Sequence, residues 1–223
     1  MLERPRALTA IDDSAQGRTY RSPRRSRQQV ETRRAVLDAA VTLFSEHGYQ
    51  GTTISMIAAA SNRSVSTVNA YTGGKTRLLA ALVDDLVSQA VPHSAVNCIR
   101  AAESGCSPVC VLAEATRRVF ETHEGIFIEL YDNASTDRQL SSTLAMVEQT
   151  LFRLAGEVVE TLSRSDSLRS GLAPERARHV ISFYFGFRSW RELRRRDWTW
   201  SDAEKWIHGE VCKIIVAGDS DGS

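Results

Sequence analysis

Apolar residues recur every three or four positions through most of the chain, the spacing of helices that bury one face. From about Gln28 to His47, the residues Val36, Leu37, Ala40, Val41, Leu43 and Phe44 form one such stripe, and Gly48 is placed to stop it. The next stretch, TTISMIAAA, predicts a short helix capped by Thr52 or Thr53, with Ile54, Ile57 and Ala58 on its inner face. Ser61, Asn62, Arg63 and Ser64 cannot continue a buried stripe. A third short helix, about Ser64 to Ala70, carries Val65 and Val68, and Gly73-Gly74 breaks it. Lys75 then opens a long helix through Leu78, Leu79, Leu82, Val83, Leu86 and Val87 that ends near Pro92.

The remainder is helical in pattern as well. CSPVCVLAEATRRVFETHE fits a helix entered at Pro108, since proline suits a first turn, and GIFIELYDNA is a short apolar piece. Between about 138 and 163, Leu140, Leu144, Val147, Leu151, Leu154 and Val158 repeat at intervals of four and three, the seam of a helix packed lengthwise on another. In PERARHVISFYFGFRSWRELRRRD, Ile181, Phe183, Phe185 and Phe187 alternate as in a strand. The flanks are strong helix formers and the run is long for a strand, so it predicts one largely buried helix over about 174–196. A last helix spans about 202–217 with Trp206, Ile207, Val211, Ile214 and Ile215. With no strand pattern and no internal repeat, the expected class is all-α, with about nine or ten helices.

Composition changes the picture little until it is divided. The 223 residues are 42% hydrophobic and 25% charged, ordinary values for a globular protein. No stretch approaches the roughly 20 apolar residues of a membrane span, and MLERPRALTAIDDSAQGRTY lacks the apolar core of a signal peptide. Four cysteines are too few for a disulfide scaffold. A cytoplasmic protein with no membrane association is therefore expected. The net charge of +1 conceals an asymmetry: residues 1–79 hold 12 Lys and Arg against 6 Asp and Glu, a net +6, and residues 80–223 hold 16 against 21, a net −5. A basic N-terminal part points to an anionic partner, most commonly nucleic-acid phosphate. Residues 1–26, rich in arginine and without apolar periodicity, read as a disordered basic arm.

Two short helices joined by a four-residue polar turn and backed by an earlier helix make a helix-turn-helix, whose second helix enters the DNA major groove. The turn requires a residue that accepts positive φ, and Asn62 is suited after glycine. Ser64, Ser66, Thr67, Asn69 and Tyr71 offer donors and acceptors for phosphates and base edges. A helical hairpin inside an ordinary bundle is the competing reading.

RRAVLDAAVTLFSEHGYQGTTISMIAAASNRSVSTVNAYTGGKTRLL, residues 33–79, resembles without gaps the DNA-binding region of the tetracycline-repressor (TetR) family. It has the family's LF-x-x-x-G-[YF] corner, TT-x-x-x-IA helix start and K-x-x-LL exit. RSWRELRRRDWTWSDAEKWI is more weakly similar to a tail found in some members. Asn62 and Arg63 replace the family's turn glycine and following apolar residue, and Asn69 and Thr72 replace aromatic positions, so the operator does not follow by analogy. The resemblance implies a DNA-binding domain over 27–75 and a helical effector-binding and dimerisation domain over 76–217, with a short disordered tail at 218–223. It assigns Thr53 and Lys75 to phosphates and Ser66, Thr67, Asn69 and Tyr71 to the groove; Arg63, a departure from the family, is read as trading a packing role for a phosphate contact. Arg24, Arg25 and Arg27 would follow the backbone or the minor groove.

The same resemblance implies a homodimer on a palindrome of double-stranded DNA and a small-molecule effector that loosens it. Leu144, Leu151, Val158, Val180 and Phe187 are candidates for the dimer interface, the alternative being a seam packed within its own subunit. Phe120, Phe127, Tyr131, Phe152, Tyr184 and Trp190 are candidates for an effector pocket or simply for core. No metal or cofactor is expected. Cys98, Cys106 and Cys110 form no C-x-x-C pair, the five histidines are scattered, and neither H-E-x-x-H nor a phosphate-cradling glycine motif occurs. The expected function is a ligand-responsive DNA-binding regulator, most commonly a repressor in this family, and not an enzyme. The alternative is a helical small-molecule-binding protein or enzyme with a vestigial DNA-binding domain.

Overall fold

The computed structural model describes residues 23–90, 93–102 and 107–217, with backbone alone at 23–26, 88–90 and 93–95. These residues form helices α1 (Pro23–Gly51), α2 (Ile54–Ala60), α3 (Val65–Thr72), α4 (Lys75–Ala90), α5 (His93–Ala101), α6 (Ser107–Thr122), α7 (Glu124–Asn133), α8 (Arg138–Arg164), α9 (Pro174–Phe185), α10 (Phe187–Arg194) and α11 (Trp200–Ile215). The described part of the chain is all-α, its one β-type pairing being the isolated bridge Leu168–Val216. None of the described helices is long and apolar enough to cross a membrane. Residues 1–22 of the expected arm and the tail 218–223 lie outside the described residues. α1 starts at Pro23, inside the segment read as an arm, because proline's fixed φ suits a first helical turn.

Gly48 does interrupt α1, with φ 69° and ψ 166°. The Thr52 hydroxyl closes the break by donating to the carbonyls of Leu43 and Gly48 at 3.0 and 2.8 Å. α1 then supports α2 and α3 through Val36, Leu37, Ala40 and Phe44, packed with Ile57, Ala58, Val68, Leu78 and Leu79.

Behind this head, α4 leads into a bundle built around α8. Asp137 caps α8, its carboxylate accepting from the amides of Gln139 and Leu140 at 2.8 and 3.1 Å. The seam residues Leu140, Val147, Leu154 and Val158 are buried against α4, α6, α7 and α9, and Leu144 and Leu151 partly so. α7 packs on both α1 and α4, so it touches the head and the bundle together.

Two elements differ from the sequence reading. α5 carries little apolar signal beyond Val96 and Ile99, and the sequence pattern passes over it. The run over 174–196 is two helices, because Gly186 is extended (φ −68°, ψ 145°) and a Cβ there would stand 3.0 Å from the Ser182 carbonyl oxygen. Nor is this run buried throughout: Ile181, Phe185 and Phe187 are fully buried, whereas Phe183 is 71% exposed. At 100° per residue Phe183 lies opposite Ile181 and Phe185, so an alternating pattern on a helix buries one set and exposes the other.

Candidate nucleic-acid interface

The local chemistry of residues 52–75 sets both short helices and the angle between them. Thr53 caps α2, its hydroxyl accepting from the Met56 amide at 3.2 Å. At the far end Ser61 is buried and donates to the Ile57 carbonyl at 2.7 Å. Asn62 takes φ 51°, the left-handed conformation that turns the chain. Arg63 N then donates to Ala58 O at 2.9 Å. Ser64 caps α3, accepting from Thr67 N at 3.1 Å, and its hydroxyl lies 2.9 and 2.8 Å from those of Ser66 and Thr67. Gly73 (φ 66°) closes α3 with its N–H on the Asn69 carbonyl at 2.7 Å.

Val68, fully buried, anchors α3 and leaves a polar face outward. Thr53, Arg63, Ser64, Ser66, Asn69 and Tyr71 are exposed, and Thr67 is half-buried. Arg63, Thr67 and Tyr71, four residues apart, share one side of α3. With Gln28, Gln29 and Thr32 of α1 they border a concavity of about 450 Å³. The sequence reading missed this α1 contribution; the available signal was the polar pair Gln28-Gln29 beside Arg27, ahead of the first apolar stripe. Arg27 is exposed on α1, and the side chains of Arg24 and Arg25 lie outside the described residues. Thr72 is buried, and its hydroxyl returns to the Val68 carbonyl at 2.9 Å.

Lys75 stands apart from the α3 face. Its ammonium lies 4.2 Å from the centre of the Tyr49 ring and 3.5 Å from the Gln50 carbonyl, at the end of α1. Burial holds it below the ordinary lysine range, while Glu129 of α7 pulls the other way. An expected phosphate ligand is therefore also part of the joint between head and bundle.

The aromatic residues proposed for an effector pocket divide into three groups. Phe120 and Phe127 border a small apolar cavity of about 60 Å³ lined also by Val87 of α4, Leu112 and Val119 of α6, and Leu151 and Leu154 of α8. Phe120, Tyr131 and Phe152 border a wider opening of about 590 Å³, rimmed by His179, Phe183 and Arg188. Burial pushes the Tyr131 hydroxyl up to about 12. Tyr184 and Trp190 line neither space. Trp190 is fully buried against Trp200, with centroids 5.8 Å apart, and Tyr184 packs between Phe183 and Trp206. Two dimer candidates are corrected likewise: Val158 and Phe187 are wholly buried in their own subunit and have no surface to offer a partner. Leu144, Leu151 and Val180 are half-buried. Among the described residues no group of three or more His, Cys, Asp or Glu is arranged to hold a metal ion.

Comparison with known proteins agrees with this architecture. A transcriptional regulator from Saccharomonospora viridis, solved with choline, is 14% identical with a TM-score of 0.73, the match covering 85% of this chain and 100% of that one. A TetR-family regulator from Mesorhizobium loti is 19% identical with a TM-score of 0.64, over 82% of this chain and 95% of that one. The regulator FadR from Bacillus subtilis, solved with stearoyl-CoA, is 14% identical with a TM-score of 0.63, over 81% and 95%. No curated protein sequence matches the chain. Residues 36–82, the segment from the core of α1 into α4, match the family model for bacterial regulatory proteins of the tetR family. Over residues 36–82 the chain thus resembles bacterial regulatory proteins of the tetR family, and its fold is one that TetR-family regulators share.

Proposed function

We propose that the chain is a ligand-responsive repressor that binds a palindromic operator as a homodimer. The observation that carries the reading is α3 itself: a short helix, capped at both ends and anchored by one buried valine, with a polar face of Ser66, Asn69 and Tyr71 turned to solvent beside Arg63 of the preceding turn. That face has the size and donor–acceptor character of a major-groove reader. Asn69 suits bidentate pairing with adenine, and Thr53, Arg63, Lys75 and the arginines of the N-terminal segment suit phosphates. One helix of eight residues reads few base pairs, so two copies on a two-fold site supply the affinity. The surface we assign to pairing is the outer side of α8 and α9, with the half-buried Leu144 and Val180 and the exposed Phe183 as its apolar residues.

The effector enters the bundle at the cavity of Val87, Leu112, Phe120, Phe127 and Leu154. Its walls are apolar, and so is the effector group that fits there. Two walls matter for response: Val87 belongs to α4, which leaves the DNA-binding head, and Phe127 to α7, which packs on α1. A ligand that enlarges this cavity favours a different placement of α7 and α4, and the DNA affinity falls by the difference in ligand affinity between the two placements. Related folds solved with choline and with stearoyl-CoA support a bundle that accommodates small molecules. The test is selection of genomic fragments by the purified protein, followed by binding across operator variants and salt concentrations. One palindrome, bound with steep salt dependence and released by a small molecule, supports the reading; equal binding to all fragments refutes it.

A further inference from the structure

The apolar cavity between α4, α6, α7 and α8 is small. At about 60 Å³ it has less than half the volume that holds a benzene ring, roughly 150 Å³, so it takes only the tip of a ligand. Phe120, Val147 and Leu151 line this cavity and also the hollow of about 590 Å³ beside it, so the two spaces share a wall of apolar side chains. Phe152 and Phe187 extend that wall within the hollow. A ligand whose tip presses on the inner cavity therefore has room for its body in the hollow.

The polar groups of the hollow favour one sign of charge. Arg188 of α10 is exposed, has its Cζ 5.2 Å from the centre of the Tyr131 ring and makes no ion pair among the described residues. The ring holds its planar fork of donors, which is left for a carboxylate. The Tyr131 hydroxyl makes no hydrogen bond among the described residues. Burial, and then Glu148, push it up to about 12 against the pull of Arg188, so it stays a donor. Ser182 also lines the hollow, its hydroxyl oxygen buried and without a partner among the described residues. Aromatic faces that would hold a ligand cation are already taken, Tyr131 by Arg188 and Phe152 by Arg178 at 4.1 Å. Glu148, exposed on α8, is the one carboxylate of the lining. It repels an anion, so its removal and that of Arg188 should act in opposite directions.

We infer, resting on the effector reading proposed above, that the hollow seats the head group of the effector and that the effector is an amphipathic monocarboxylate. Its anionic end lies against Arg188 and the Tyr131 hydroxyl, and its apolar body runs over Phe120, Val147 and Leu151 toward the inner cavity.

The experiment is calorimetric titration of the full chain with decanoate and with phenylbutyrate, beside decanol and decylamine as the neutral and cationic controls. Phe183 stands both on the rim and on the surface assigned to pairing, so the protein is kept at one concentration throughout. At least one acid should bind about tenfold more tightly than decanol, and decylamine more weakly than either. Arg188→Gln should cost the acid about tenfold and leave decanol unchanged, and Arg188→Lys should recover part of the loss. Glu148→Gln should tighten the acid several-fold. Both residues are exposed, so helical circular dichroism of the variants should match the parent's. Equal affinity for acid, alcohol and amine, preference for the amine, indifference to Arg188→Gln, or weakening of the acid by Glu148→Gln would overturn the inference, as would no binding of any probe. Acid binding that leaves operator affinity untouched would uphold this site and refute the response to ligand proposed above.

Discussion

Single residues on α3 and around Lys75 do different kinds of work, and substitution should separate them. Asn69 is exposed and its side chain makes no hydrogen bond among the described residues, so Asn69→Ala should leave the melting temperature unchanged. It should cost about 1–3 kcal/mol of discrimination at one or two base pairs, read by binding to operator variants. Lys75→Ala should weaken binding to every sequence alike and lower the slope of affinity against salt by about one. Because Lys75 also lies over Tyr49, the same change should lower stability by about 0.5–1 kcal/mol, measured by denaturant unfolding. Sequence reading found Asn62 as the positive-φ residue, since few side chains tolerate that conformation. It could not find the second duty of Lys75, which depends on a ring 26 positions earlier in the chain.

For whole helices, periodicity gave the existence of almost every element but not the breaks within them. The α9–α10 break rests on a close approach at Gly186, a contact that no spacing of apolar residues encodes. Periodicity also misassigned part of the partner surface, because a stripe is the same whether its burial is internal or between subunits. Phe183 and Phe187 make this distinction measurable. Phe187→Ala removes a ring packed among Phe120, Phe127 and Tyr131 and should cost about 3–5 kcal/mol of stability. Phe183→Ala should leave the monomer fold intact and shift the protein from dimer to monomer in sedimentation at micromolar concentration. A dimer as tight as the parent's would place the pairing surface elsewhere.

Across the molecule, the charge division visible in the sequence corresponds to a basic head that carries the proposed reading face and an acidic bundle, joined where α7 packs on α1 and α4. His123 immediately precedes α7. Its Nδ1 is buried without a hydrogen-bond partner among the described residues, and burial lowers its pKa from the usual value near 6.5. The unfolded chain therefore takes up this proton first. Stability should be full above about pH 6.5 and fall as pH drops through the unfolded and then the folded pKa. A cation preceding the N-terminal turn of α7 is also opposed by the helix dipole. His123→Gln should flatten that decline below about pH 6.5, seen in the melting temperature against pH. At lower pH a second loss is expected: the Arg191 guanidinium hydrogen-bonded to Asp132 holds that carboxyl below its usual range, so the α7–α10 tie weakens only as pH falls through that lowered value.

The hydroxyl cluster of Ser64, Ser66 and Thr67 has one further consequence. A helix of eight residues is marginal in water by itself, yet α3 is already wound and seated on Val68 before any operator arrives. Association then carries no ordering penalty for the reading helix. Encounter with the groove should proceed at rates set by electrostatic steering, and the heat-capacity change should reflect only the surface covered, without the larger signature of coupled folding.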